Sequence, residues 1–130
     1  MNIEGKVEVT GLSDVGRKRS HNEDSIGSDT AIGLTVLADG MGGYKAGEVA
    51  SAMAVNGIME VVRDGLRGLK HGDVDEETGY TRESLLVKSA VLQANHEIHS
   101  TAESQPQCQG MGTTLVAAMF YDDRLTIAHV

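Results

Sequence analysis

Residues 31–51 read AIGLTVLADGMGGYKAGEVAS, and the reading of this stretch decides the architecture. From Ala31 to Asp39 the chain is an almost continuous apolar run ending in a carboxylate, which predicts a strand buried on both faces. Gly40-Met41-Gly42-Gly43 then supplies turn chemistry. From Ala46 the period becomes helical, because Val49, Met53, Ala54, Ile58, Val61, Val62 and Leu66 fall near one stripe. Small residues at 46, 50, 51, 52 and 54 predict that this helix comes close to a sheet. An aspartate at the end of a buried strand is costly unless a donor or a cation meets it. Two readings of Asp39 therefore stand: a cap for the following helix, or a ligand for a hard divalent cation with the Gly40 carbonyl beside it.

Toward the N-terminus, residues 6–12 (KVEVTGL) alternate polar and apolar and predict a strand with one wet face. Residues 13–25 (SDVGRKRSHNEDS) are polar throughout and predict an ordered loop or an irregular strand. They hold a second acidic pair, Glu23-Asp24, which reads either as a solvated turn or as further oxygen ligands. Toward the C-terminus, glycines and acids dominate residues 68–79 (GLKHGDVDEETG), a loop. Thr81 is placed to cap a second helix, with Glu83 in its first turn and Leu85, Leu86, Val91, Leu92 and Ile98 on its buried side. Residues 113–120 (TTLVAAMF) and 124–130 (RLTIAHV) read as a hairpin around an acidic turn. Strand, strand, helix, helix, strand, strand predicts an α+β fold, an antiparallel sheet with helices on one face.

Composition narrows the function. One hundred and thirty residues make one domain or part of one. Hydrophobic residues make up 40% of the chain, with four aromatics and no Trp, so the core is aliphatic and rich in Ala and Met. No run approaches the roughly 18 apolar residues of a membrane-spanning helix. The opening MNIEGK lacks the basic-then-apolar pattern of a secretion signal. The single cysteine, Cys108, excludes a disulfide framework and a cysteine-built zinc site, and it fits a cytoplasmic protein. A formal charge of −8 repels nucleic acid and anionic membrane, so phosphate chemistry here needs metal ions or local arginines. Arg17-Lys18-Arg19 is either a solvated run or a cradle for an anion beside a metal, arginine being suited by its bidentate fork. The glycine-rich turn matches a dinucleotide loop at Gly40 and Gly42 but has Lys45 where the third glycine belongs, and it lacks Gly-Lys-Ser/Thr. The chain ends at Ala128-His129-Val130 inside an apolar strand pattern, as expected of a sequence cut within a domain.

In order, SDVGRKRSHNEDS at 13–25, LADGMGGYKAGEVAS at 37–51 and GMGTTLVAA at 110–118 resemble the N-terminal half of the bacterial metal-dependent serine/threonine protein phosphatases, the PPM or type 2C family. The resemblance implies a four-layer sandwich of two antiparallel sheets flanked by helices, of which residues 1–130 are the first part. It implies a dinuclear Mn²⁺ or Mg²⁺ site in which Asp39 bridges both ions, Gly40 gives a carbonyl and Asp24 serves the second ion. Glu23 becomes an outer-shell partner through water, and Arg19 the residue that binds substrate phosphate. The implied reaction is hydrolysis of phosphoserine or phosphothreonine in a protein by a water held between the ions. Many eukaryotic members carry a histidine where this chain has Met41, and bacterial members usually share the methionine. The family's later Gly-Asp-Ser-Arg, Asp-Gly and Asp-Asn segments are absent, so residues 1–130 alone are expected to be inactive and to self-associate. A non-catalytic binding module that keeps half of the fold is the alternative.

Overall fold

A computed structural model describes residues 3–130; Met1 and Asn2, the start of the segment read for a secretion signal, lie outside them. The elements are β1 (Asp24–Asp29), β2 (Leu34–Met41), α1 (Ala46–Leu66), α2 (Arg82–Ser104), a 3₁₀ turn (Pro106–Cys108), β3 (Gly112–Thr113), β4 (Val116–Tyr121) and β5 (Arg124–His129). Sheet order is β1-β2-β4-β5, every pairing antiparallel, with β3 also against β2. β3 and β4 follow the same edge of β2 as one interrupted strand: Met41 and Gly40 pair with β3, while Leu37 to Leu34 pair with β4. The result is the α+β class that the order of elements predicts, with one sheet and one helical layer among the described residues.

The core lies between that sheet and the two helices. Leu34, Val36 and Ala38 of β2, with Ala117 and Met119 of β4, meet Ala50, Ala54, Val55, Ile58 and Val62 of α1 and Val87, Ala90 and Ala94 of α2. Small residues set the spacing, as those of α1 predict. A Cβ on Gly27 of β1 would come within 2.5 Å of Val55 Cγ1, so glycine is what lets α1 settle on the sheet. Tyr121 ties the second helix down: its hydroxyl lies 2.8 Å from Thr81 Oγ1 and 3.0 Å from Thr126 Oγ1.

Five sequence expectations are corrected. Residues 6–12 form no strand; Leu12 is 92% exposed, and Gly11 passes over the Ile26 side chain without entering the ladder. Alternation marks a wet face but does not say which edge a segment pairs with. β2 begins at Leu34 and runs on to Met41, because Asp29 to Gly33 close the turn from β1, with Gly33 at φ +68°. β2 is buried on one face only: Thr35, Leu37, Asp39 and Met41 look away from the helices. The buried stripe of α1 is rotated from the predicted one, to Ala46, Gly47, Ala50, Ser51, Ala54, Val55, Ile58 and Val62, leaving Val49 exposed. On α2, Leu92 is likewise exposed, and the buried side is Glu83, Val87, Ala90, Ala94 and Ile98.

The face of the sheet opposite the helices carries Ile26, Leu37, Val116, Phe120, Leu125 and Ile127, none of them buried by the described residues. Asp24 and Asp39 stand at one end of that face.

Thr81 caps α2 as predicted, its Oγ1 accepting from Ser84 N–H at 3.2 Å while also meeting the Tyr121 hydroxyl. Thr81→Ala removes both partners and is expected to lower unfolding free energy by about 1–2 kcal/mol in urea titration. Thr81→Ser, which keeps the oxygen, is expected to retain most of that stability.

Candidate metal centre

Register brings the two predicted acidic sites together. β1 and β2 pair from Asp24↔Asp39 to Asp29↔Leu34, so Asp24 and Asp39 are direct cross-strand neighbours on the open face. Such neighbours have Cβ atoms about 4.5–5.5 Å apart, and like charges there repel. The Asp39 carboxyl is accordingly raised above its ordinary value. The first cause is a hydrogen bond to Asp24 that only the protonated form can donate; desolvation and repulsion from Asp24 add to it, and the positive charge of Arg19 opposes it.

Each aspartate is held by its own scaffold. Ser13 Oγ donates to Asp24 Oδ2 at 3.2 Å, Asn22 Nδ2 donates to Ser13 Oγ at 2.8 Å, and Asp24 N–H donates to Asn22 Oδ1 at 3.0 Å. Asp39 sits where the β3–β4 strand is interrupted. Thr114 fills the gap: its N–H donates to the Asp39 carbonyl at 2.9 Å, and its Oγ1 accepts from Asp39 N–H at 3.3 Å. The turn into α1 is equally fixed. Gly40 N–H donates to the Glu23 carbonyl at 3.0 Å, and a Cβ on Gly40 would run into the backbone of Gly47, 2.6 Å from its carbonyl carbon. That contact requires glycine at position 40 for close approach of strand and helix.

The predicted residues divide. Asp24, Asp39 and Gly40 share one end of the β1–β2 pair. Glu23 sends its carboxylate elsewhere: a Cβ on Gly47 would lie 2.6 Å from Glu23 Cδ, which places the acid at the first turn of α1, a position its charge favours. Arg19 acts electrostatically on Asp39, and among the described residues Arg17, Lys18 and Arg19 form no ion pairs. The loop carrying them passes close to α1, with His21 Nδ1 3.7 Å from Glu48 Oε1. Among the described residues no group of three or more His, Cys, Asp or Glu converges. Sequence reasoning missed Ser13, Asn22 and Thr114 as supports. Asn22 was legible, since an Asn side chain two residues before an N–H is a common local turn; Thr114 needed the register.

Two carboxylates pressed together form a hard-oxygen donor set, and a divalent cation relieves their repulsion; Gly40 supplies the next backbone carbonyl along β2. The donor set fits Mg²⁺ or Mn²⁺, with water completing the shell.

The protein phosphatase 2C family model matches residues 15–130, and the chain belongs to that family. It is 40% identical over 120 residues to the serine/threonine protein phosphatase PstP of Mycobacterium tuberculosis, covering 91% of this chain and 20% of that protein. It is 35% identical over 121 residues to the serine/threonine phosphatase stp of Listeria monocytogenes, covering 91% of this chain and 44% of the relative. Among solved structures, the catalytic domain of PstP in complex with two manganese ions superposes with a TM-score of 0.72 at 36% identity, covering 92% of this chain and 45% of that one. The chain thus spans less than half the length of these relatives. Its fold is the α+β fold of the PPM phosphatases.

The raised Asp39 pKa fixes the sign of a stability test. A carboxyl that binds its proton more tightly when folded weakens the fold as pH rises through its folded pKa, and relieves it as pH falls again. Asp39→Asn is therefore expected to raise the Tm of the metal-free protein at pH 7, the gain shrinking toward pH 4. Excess Mn²⁺ is expected to raise the Tm of the parent chain and not that of Asp39→Asn, so that the order of stabilities narrows or inverts.

Proposed function

We propose that residues 1–130 are the N-terminal part of a phosphatase domain that hydrolyses phosphoserine and phosphothreonine in proteins with the aid of Mn²⁺ or Mg²⁺. The observation carrying this reading is the Asp24–Asp39 pair, opposed across β1–β2 with the positive charge of Arg19 acting on it. Asp24, Asp39 and the Gly40 carbonyl are the groups that would hold the ions, and Glu23, whose carboxylate lies at the first turn of α1, would reach them only through water. When bound, such ions supply an acidified water and neutralise charge developing on phosphate oxygens. The chain's own residues do the rest. Ser13 and Asn22 orient the Asp24 carboxylate, Thr114 fixes the Asp39 backbone, and the Arg19 fork receives phosphate oxygens. A protein of net charge −8 repels phosphorylated substrates in general, so the local cations are what admit them.

The alternative, a binding module without catalysis, draws on the convergence of only two carboxylates among the described residues. Two carboxylates hold ions weakly, and the whole reading frame containing this chain separates the readings. Among the described residues no helix is long and apolar enough to cross a membrane. The buried thiol of Cys108 supports a cytoplasmic setting. Self-association of residues 1–130 through the open apolar face belongs to the same proposal, since each Å² of apolar surface covered is worth about 25 cal/mol.

In the protein of the whole reading frame, Mn²⁺-dependent release of phosphate from a phosphothreonine peptide is expected. Arg19→Ala is expected to raise KM more than it lowers kcat, the pattern of lost phosphate binding. Mn²⁺ binding by calorimetry with no hydrolysis would favour the binding module, and an unchanged KM would move the phosphate role to Arg17 or Lys18. For residues 1–130 alone, light scattering at micromolar concentration is expected to show dimers or larger species, and the phosphopeptide assay little or no turnover.

A further inference from the structure

The turn between β2 and α1 places a strained, exposed aromatic at the acidic end of the sheet. Tyr44 has φ +53°, in the left-handed region that Gly and Asn enter easily and bulky side chains rarely do. Its side chain buries nothing in return: the residue is 97% exposed, and among the described residues its hydroxyl has no hydrogen-bond partner. Nor is it there for want of glycine, since Gly42 and Gly43 immediately precede it. The two ends of the turn are packed against α1. A Cβ on Gly42 would lie 2.8 Å from the Ala46 Cβ, Ala46 N–H donates to the Gly43 carbonyl at 3.0 Å, and Gly40 rests on the Gly47 backbone. The turn directly follows Asp39 and Gly40, and Met41 shares the open face with Asp39. The loop carrying Arg19 passes the first turn of the same helix, where His21 Nδ1 lies 3.7 Å from Glu48 Oε1. The Arg19 loop and the Tyr44 turn thus both lie at one helix end, which follows the strand carrying Asp39.

Resting on the phosphatase reading above, we propose that Tyr44 is a substrate-contact residue, its ring packing on the peptide that flanks the phosphorylated side chain. Backbone strain without compensating burial marks a position kept for what it touches. An aromatic face covers aliphatic side chains, peptide planes and arginine alike, and a rigid aromatic anchor is an efficient contact of this kind. A substrate consisting of one phosphorylated residue ends before it reaches such a contact, so Tyr44 discriminates peptides from small phosphomonoesters.

The test compares a phosphothreonine peptide with N-acetyl phosphothreonine methylamide, in the protein of the whole reading frame with Mn²⁺. Tyr44→Asn suits the left-handed backbone and is expected to keep or raise Tm, which separates the result from misfolding. Its kcat/KM for the peptide is expected to fall about tenfold, mostly through KM, with a much smaller fall for the single-residue substrate. Tyr44→Phe, which keeps the ring, is expected to restore the peptide value. Equal falls for both substrates, an unchanged peptide KM, or failure of Tyr44→Phe to rescue would each overturn the assignment. A parent protein that turns over neither substrate would instead overturn the phosphatase reading, and this inference with it.

Discussion

Six consecutive residue pairs between β1 and β2 fix which side of the sheet each side chain faces, and the candidate site follows from that register. The strand period is two, so a slip of one residue would turn Asp24 toward the helices while Asp39 stayed on the open face. The register is pinned by the opposite face. Gly27 must lie under Val55, and Val36 and Ala38 must reach the core, before the aspartates can meet. Aliphatic packing on one side of the sheet thus holds two like charges together on the other. The electrostatic cost is local, and the burial that offsets it is spread over the whole helix–sheet interface.

Around this pair, the supports come from elements far apart in sequence. The 13–25 loop brings Ser13 and Asn22 to Asp24, and the break between β3 and β4 brings Thr114 to Asp39. α1 bounds the site with small residues, since its Gly47 is where β2 and the Glu23 carboxylate both make contact. The site is therefore a meeting point of backbone geometries, with few side chains lining it and glycines making room.

Much of this was legible in the sequence. The apolar run into Asp39, the helix from Ala46, the Thr81 cap and the C-terminal hairpin all declare themselves by period and by capping chemistry. What escaped was information that no local pattern holds. The run TVLA looks buried on both sides because apolar composition cannot say that Leu37 faces away from the helices. Glu83 reads as an acid complementing a helix dipole, yet it is fully buried, with the Gly72 N–H 2.9 Å from its Oε1 and His71 Nδ1 at 3.4 Å from the same oxygen. That arrangement depends on how the 68–79 loop folds back, which its composition does not encode. The GMGTTL motif was visible as a motif, but the role of Thr114 appears only once its strand lies against β2.

The bond between Asp39 N–H and Thr114 Oγ1 spans 75 positions of sequence. During synthesis, both aspartates leave the ribosome early, while the helices that pin their register and the residue that steadies Asp39 have yet to be translated. At about 5–20 residues per second, that interval lasts roughly 4–15 s. Through it the aspartates lack the Thr114 support of the finished site, and the core face of β2 lacks all or part of the helices that cover it. The order of translation therefore makes the acidic end of the sheet one of the last regions of this chain to become rigid, although its acidic residues are among the first to emerge.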